Sequence, residues 1–395
     1  MKIALICQGY VPQTTSCAVQ MRDLANEMVM LGHEPIMLVP SHSFSEGGVV
    51  EIIEGVKVYR LSALKNGEVN LFSRAIAEAL MPITMLISLL RMRLPASSFN
   101  GVVWYSPSIF FGPLAWYLTW RSKCKGYLIL RDMFPEWAVD LGIMKKGMIY
   151  KFFKAVANFQ YSIADSIGVQ SESNLGYLDK WNKSSKRIDV LSNWLSSDNM
   201  VDQLTSLDLS DFVDRKLFVY IGNMGVAQGM DIFLNLAETL QYRSDIGFVF
   251  VGRGSEKNNL IRRSKELNLE NTFFHDEIKP EEITKLLSYC KVGLIGLDPK
   301  HNSHNIPGKF LAYLRAGLPV LARINAGTDL IEIITAGELG AFYTGENTAE
   351  FAAIALKLID NQDQLVAMAK RGVSLYESDY QPTIAAKHII SALGC

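Results

Sequence analysis

The stretch KLFVYIGNMGVAQGMD, residues 216–231, decides how this chain is read. An apolar run rich in β-branched and aromatic residues enters a turn with glycines at 222, 225 and 229. Beyond it, DIFLNLAETLQYR repeats apolar residues three and four apart. Strand, glycine turn and amphipathic helix in that order open a βαβ unit, and such units stack into a parallel sheet covered by helices on both faces. The turn sits where backbone N–H groups and a helix dipole receive a phosphate, yet it carries no Lys or Arg. An ordinary glycine-rich turn reads the same way, and neither the Rossmann glycine spacing nor GK[ST] is present.

The same cycle recurs on both sides. Downstream, IGFVFVGRG (246–254), NTFFHD (271–276) and KVGLIGL (291–297) alternate with helical patterns, and PGKFLAYLRAGLPVLA (307–322) reads as helix, glycine stop and strand. Upstream, KIALICQGY (2–10) is a strand, and SCAVQMRDLANEMVMLGHEPIMLVP (16–40) is a helix ended by LGH and followed by another strand. VKVYRL (56–61), GVVWYS (101–106), GYLILRDMFPE (126–136) and RIDVLSN (187–193) add further strands. Residues 194–216 are Ser- and Asp-rich and weak in pattern, so the linker falls there. The expectation is two Rossmann-like, doubly wound α/β domains, 1–193 and 194–375, with a terminal helix over 376–395. Ligands bind outside the carboxyl ends of such strands, so the loops after Ile6, Leu130, Ile221, Val251 and Leu297 are expected to line an interdomain cleft.

Composition narrows the function. With 395 residues, 49% of them hydrophobic, the chain can bury two cores, and a net charge of −1 argues against a surface built for nucleic acid. The average hides an excess: residues 83–155 hold ten Lys and Arg against three acids. Five cysteines without CxxC spacing suggest neither zinc nor a disulfide framework. MKIALICQGY reads as a first buried strand rather than a leader, and no apolar run reaches the roughly 18 residues that span a bilayer. LMPITMLISLLRMRLP (80–95) is either a core helix with Arg91 and Arg93 at its exposed end or a face resting on an anionic membrane.

Three places can carry chemistry. The first is the turn, with Gly222, Asn223, Gly225 and Gln228. The second is HNIPGKF, where Pro307 starts a helix, Gly308 permits close approach, and Lys309 stands in a first turn that favours acids, which an anionic ligand would explain as well as solvent would. The third is LRDMFPEW, where Arg131, Asp132 and Glu136 follow a buried strand as a substrate-facing cluster or a local ion pair. His301, His304 and Asp298 lack the spacing of a metal site, and GxSxG is absent.

Taken in order, ICQGYVPQTTSCAVQMRDLANEMVMLGHEPIMLVP, LRDMFPEW, VLSNW, FVYIGNMGVAQGMDIFLNLA, FVFVGRG, FFHDEIKPEEITKLLSYCKVGLIGL and NIPGKFLAYLRAGLPVLA resemble bacterial glycosyltransferases of family 4. The likeness is to the O-antigen and capsule branch that includes N-acetyl-L-fucosamine transferases. It implies a GT-B fold and a terminal helix, YQPTIAAKHIISAL, that packs on the N-terminal domain. It also implies retaining transfer without metal or cofactor, from a nucleotide sugar, with UDP as the expected nucleotide, to an undecaprenyl-diphosphate-linked saccharide. The implied place is the inner face of the cytoplasmic membrane. Implied donor contacts are the four turn residues, Arg253, His275, Asp276, Asn305, Ile306, Pro307, Gly308 and Lys309. Ser16 and Cys17 fall in the acceptor loop, and Arg131, Asp132, Glu136 and Lys309 in the catalytic set.

Several positions depart from the family pattern. Asn223 and Gln228 stand where a diphosphate-binding Arg and Lys are usual, and the usual Glu pair falls on His304 and Ala312. Ser16 and Cys17 replace a Gly-Gly, and Arg131 replaces a His. These changes move the expected diphosphate contacts toward backbone N–H groups, Asn223 and Lys309, and keep two rivals in view: a sugar-nucleotide epimerase and a non-catalytic sugar-nucleotide-binding protein.

Overall fold

The computed structural model describes residues 1–42, 48–64, 71–94, 97–140, 142–182, 186–196, 206–298 and 306–394, without the side chains of 71–76, 140 and 182. The chain divides into two compact units, Met1–Trp194 with Pro382–Cys395, and Leu195–Gln381. The division differs by a few residues from the sequence reading, for two local reasons. Trp194 is buried in the first unit, its indole N–H donating to the Gln20 carbonyl at 2.8 Å. The helix Gln362–Asp379 runs on past 375 and places Tyr376 in the second core.

The first unit is built on eight strands: β1 (Lys2–Ile6), β2 (Glu34–Ser41), β3 (Val49–Ile53), β4 (Val56–Ser62), β5 (Gly101–Tyr105), β6 (Lys125–Leu130), β7 (Ser166–Val169) and β8 (Arg187–Val190). Their order is β3-β4-β2-β1-β5-β6-β7-β8. All pairs are parallel except β3 with β4, a hairpin turned at Glu54 and Gly55, both at positive φ. The sequence reading missed β3. Alternation sorts the strands: Ile6, Trp104 and Leu130 face the helices Leu71–Arg91, Gly112–Ser122 and Met148–Ile163, while Leu5, Tyr105 and Ile129 face Ser16–Met30 and Pro382–Leu393. The terminal helix is tied to the first by Thr383, which donates to Glu27 at 2.6 Å.

The second unit holds β9 (Lys216–Ile221), β10 (Ile246–Val251), β11 (Thr272–His275), β12 (Val292–Gly296), β13 (Val320–Arg323) and β14 (Gly340–Tyr343), all parallel, in the order β11-β10-β9-β12-β13-β14. Two cores form, one on each face. Phe218, Phe233 and Phe248 are fully buried, each worth about 1.5–3 kcal/mol over exposure. The chain steps outward from β9 to β11 and then returns to β12 on the other side. That reversal is the topological switch point, where sheets of this kind open a crevice for a ligand.

Candidate functional site

At the switch point the residues 222–230 leave β9. Gly222 takes φ +107 and donates its N–H to Val251 at 2.9 Å, and Met224 donates to the Arg253 carbonyl at 2.6 Å. The turn therefore lies on the backbone of the GRG stretch after β10. That contact explains the glycines there: a Cβ at Gly252 would fall 1.9 Å from the Gly222 oxygen, and one at Gly254 would fall 2.3 Å from the Met224 oxygen. On the other side Asp298 donates its N–H to the Ala227 carbonyl at 2.9 Å. Both neighbouring strand exits clasp the turn.

The amides expected to take the lost charges are engaged with each other. Gln228 Oε1 accepts from Gly225 N–H at 3.0 Å and from Asn223 Nδ2 at 3.1 Å. So the N–H groups of Gly222, Met224 and Gly225 are already used within the protein, and these three are not open to a phosphate. Pairing leaves Asn223 exposed at the turn's outer edge.

The cation comes from the helix Gly308–Arg315. Pro307 is its N-cap, no side chain caps it among the described residues, and its first turn holds no acid. Phe310 N–H donates to the Pro307 carbonyl at 3.0 Å, and the N–H groups of Gly308 and Lys309 ahead of it are those that a helix start offers to an anion. Lys309 folds back so that its Nζ lies 3.5 Å from the centre of the Tyr220 ring, and its Cε lies 4.0 Å from where a Gly222 Cβ would stand. The stem keeps some exposure while the ammonium end is enclosed, and this burial lowers its pKa to about 7. Among the described residues no carboxylate pairs with it. Sequence reasoning missed Tyr220, whose hydroxyl donates to the Asn223 carbonyl at 2.5 Å and so joins the lysine's seat to the turn. It also missed Arg323, a buried residue at the end of β13 whose Nη1 donates to Leu297 at 3.0 Å.

The remaining donor candidates are less central. Arg253 is exposed and pairs with Glu277 at 3.2 Å, so its side chain is free to swing although its carbonyl is fixed. His275 ends β11, two strands from β9, with Nδ1 against the Asp276 carbonyl at 2.9 Å. Asp276 is turned to Lys257, which holds its carboxyl below the usual range. Ile306 is buried, and a Cβ at Gly308 would meet nothing within 4 Å. Asn305, His301 and His304 lie outside the described residues. Ala312 is buried in the helix.

In the first unit Arg131, Asp132 and Glu136 do not form one cluster. Arg131 is buried: Nη1 donates to the Leu191 carbonyl at 2.5 Å and Nη2 to Ser192 at 3.2 Å, and the guanidinium stacks on Trp194 at 5.0 Å and Tyr105 at 6.0 Å. It staples the chain leaving β8. Glu136 turns the other way, to Lys154 and Tyr150 on the helix Met148–Ile163. Asp132 is half-buried beside Arg131. The expected clustering of acid, base and cation is corrected accordingly: Arg131 and Glu136 take separate partners within the first unit. Ser16 opens the first helix behind the cap Thr15, whose hydroxyl accepts from Ala18 at 3.3 Å. Cys17 lies beside Cys7, and the Cys7 thiol together with the N–H groups of Gly9 and Gln8 holds its pKa below the ordinary thiol value.

Residues 208–374 match the family model described as glycosyl transferases group 1, which contains the turn, Arg253 and Lys309. Over 221 residues the chain is 22% identical to WbjE of Pseudomonas aeruginosa, named as a glycosyltransferase, the match covering 55% of each protein. Over 241 residues it is 24% identical to WcaI of Escherichia coli K12, a glycosyl transferase named for colanic acid biosynthesis, covering 58% of each. The chain thus spans little more than half the length of the curated relatives it matches. Among solved structures, sucrose-phosphate synthase of Thermosynechococcus elongatus superposes with TM-score 0.72 at 14% identity, covering 99% of this chain and 97% of that one. HepE of Anabaena, crystallised with UDP and glucose, gives 0.67 at 13%, covering 100% and 99%. WaaG, a glycosyltransferase of lipopolysaccharide biosynthesis, gives 0.65 at 13%, covering 100% of both. The fold is therefore GT-B: two Rossmann-like α/β domains with parallel sheets.

Proposed function

We propose that this chain transfers a sugar from a nucleoside-diphosphate donor, held by the Leu195–Gln381 unit, to a lipid-linked saccharide bound by the first unit, in the assembly of a bacterial surface polysaccharide. One observation carries the reading. An enclosed ammonium, Lys309, sits at a helix start beneath a glycine turn at the switch point, with neither a side-chain cap nor a carboxylate partner among the described residues. An uncompensated buried cation is unfavourable by itself, and a diphosphate supplies the missing charge. In this reading Lys309 and the helix dipole stabilise the negative charge that develops on the leaving diphosphate, with no metal or cofactor assigned a part. Configuration at the transferred carbon is proposed to be retained.

The names of WcaI and WaaG favour an envelope polysaccharide, and the UDP bound by HepE makes a UDP sugar the first donor to try. N-acetyl-L-fucosamine heads the panel because the motif order resembles transferases of that sugar. The test is incubation with UDP-, GDP- and dTDP-sugars and a polyprenyl-diphosphate saccharide. Transfer to the lipid supports the proposal. An epimerised donor, or donor binding without either reaction, overturns it in favour of an epimerase or a sugar-nucleotide sensor, the second of which Ala312 would suit.

A further inference from the structure

The last strand of the second sheet leaves a slot beside it. β14 is an edge strand, and the register of Val320 with Gly340 and of Ala322 with Phe342 decides which of its backbone groups are paired. Val320 donates to the Leu339 carbonyl at 3.1 Å and Ile324 to the Tyr343 carbonyl at 3.0 Å, so Leu339, Ala341 and Tyr343 turn their polar groups to β13. Gly340 and Phe342 turn theirs outward, where an edge strand meets water or a covering element. The covering element here is the helix Gln362–Asp379. Its Leu365 and Met368 belong to one core and its Tyr376 to the other, so it crosses the edge of the sheet from face to face. Between it and β14 lies a cavity of 590 Å³, flanked by the helices Asp329–Ala336 and Thr348–Ile359.

The lining selects the occupant. Ile334, Leu358 and Met368, all buried, supply apolar walls, and β14 supplies a polar edge between them. In chain order that edge is the Gly340 carbonyl, the Phe342 N–H and the Phe342 carbonyl: acceptor, donor, acceptor. A cavity of this size with apolar walls and a few convergent polar groups has the character of a small-molecule site. Adenine matches the edge point by point, since its amino group donates, its ring N1 accepts and its C2–H is a weak donor. Uracil set in the same place presents acceptor, donor and acceptor, and opposes the edge at each point. Charge at the mouth completes the match. Arg371 and Glu338 cancel each other there: the guanidinium donates to the Glu338 carbonyl at 2.9 and 3.2 Å and lies 3.4 Å from its carboxylate. Lys357, exposed at the same mouth, pairs with no carboxylate among the described residues, which leaves one cation for an anionic group. We infer that this slot binds an adenine nucleotide, its base between the apolar walls against β14 and its phosphate toward Lys357. The site is separate from the glycine turn. β14 lies three strands from β9, and Gly340 stands at the amino end of its strand, whereas the turn leaves the carboxyl end of β9. The inference does not rest on the proposed transfer reaction.

The test is equilibrium dialysis of the full chain with labelled adenosine 5′-monophosphate. Wild type is expected to bind one molecule per chain, and excess unlabelled UDP should not displace it. Ala367 lines the cavity from the covering helix, so Ala367→Phe fills the slot and should lose the binding. Lys357→Glu, at an exposed position that folding does not depend on, should weaken it by at least about tenfold. Both variants should melt as wild type does and bind UDP unchanged, while Lys309→Met should keep its adenosine monophosphate. Those controls separate failure of this slot from failure of the donor site. No saturable binding by wild type, displacement by UDP, loss in Lys309→Met, or undiminished binding by either folded slot variant overturns the inference.

Discussion

The Lys309 ammonium lies 3.5 Å from the centre of the Tyr220 ring, and the Tyr220 hydroxyl donates at 2.5 Å to the Asn223 carbonyl. One aromatic side chain thus seats the cation with its face and holds the glycine turn with its edge. A cation over a ring gains only about 0.5–2 kcal/mol, less than an enclosed charge loses by leaving water. The lysine is consequently an unfavourable element of the free protein and a favourable one once an anion arrives.

That imbalance sets the first prediction. Lys309→Met keeps the stem's packing and removes the charge, so thermal stability should be unchanged or raised. Loss of one charge-assisted contact of about 1.5–3 kcal/mol should lower kcat/KM for the donor by roughly ten- to hundred-fold. Donor kinetics beside a melting curve checks both halves. Near wild-type transfer by a well-folded variant would remove Lys309 from the diphosphate site.

The same lysine should make donor binding depend on pH. With a pKa near 7 in the free protein, it is largely ammonium below pH 7 and largely neutral above it. A diphosphate favours the ammonium form and raises its pKa. Affinity for UDP should therefore be highest below pH 7 and fall by up to about tenfold per unit as pH rises above it, until the pKa of the complex is reached. Binding near pH 8 should take up close to one proton, read by calorimetry in buffers of different ionisation enthalpy. Lys309→Met should show neither effect.

Arg131 should behave as a structural residue of the first unit. Arg131→Ala strips two charge-assisted hydrogen bonds from the carbonyls of Leu191 and Ser192 and two stacking partners from the guanidinium. A loss of about 3 kcal/mol is expected by denaturant unfolding. Arg131→Lys should recover little of it, since an ammonium cannot reproduce the planar fork. UDP binding to the other unit should not change.

The strands were legible because a sheet buried on both faces needs near-continuous apolar runs, as in VVWY and FVFV. β3 escaped because a half-exposed hairpin arm, VVEII, has no such run, although Glu54-Gly55 marks its turn. The glycine turn and Pro307–Lys309 were legible because their position in a βα cycle already implies a role. Arg131 and Glu136 were not. A cation or an acid just past a buried strand looks the same whether it meets a substrate, a carbonyl 60 residues away, or a lysine 18 residues away. The segment 80–95 was ambiguous for a related reason: LMPITMLISLL is apolar all round, and only packing shows that Met81, Met85 and Leu89 face in while Ile83 and Ile87 face out.

Two glycines separate folding from ligand approach. Gly252 has φ +151, and a Cβ there would stand 1.9 Å from the Gly222 oxygen, which is backbone and cannot step aside. Gly252→Ala should destabilise the second unit by about 3 kcal/mol or more and abolish UDP binding with it. Gly308 is the opposite case: a Cβ there meets nothing within 4 Å, and its conformation is helical. Gly308→Ala should hold stability constant or raise it by up to about 1 kcal/mol. If a diphosphate does come to rest on this helix start, the added methyl occupies its space, and UDP affinity should fall while the melting temperature does not. An alanine variant that binds UDP as tightly as wild type would place the ligand elsewhere on the crevice.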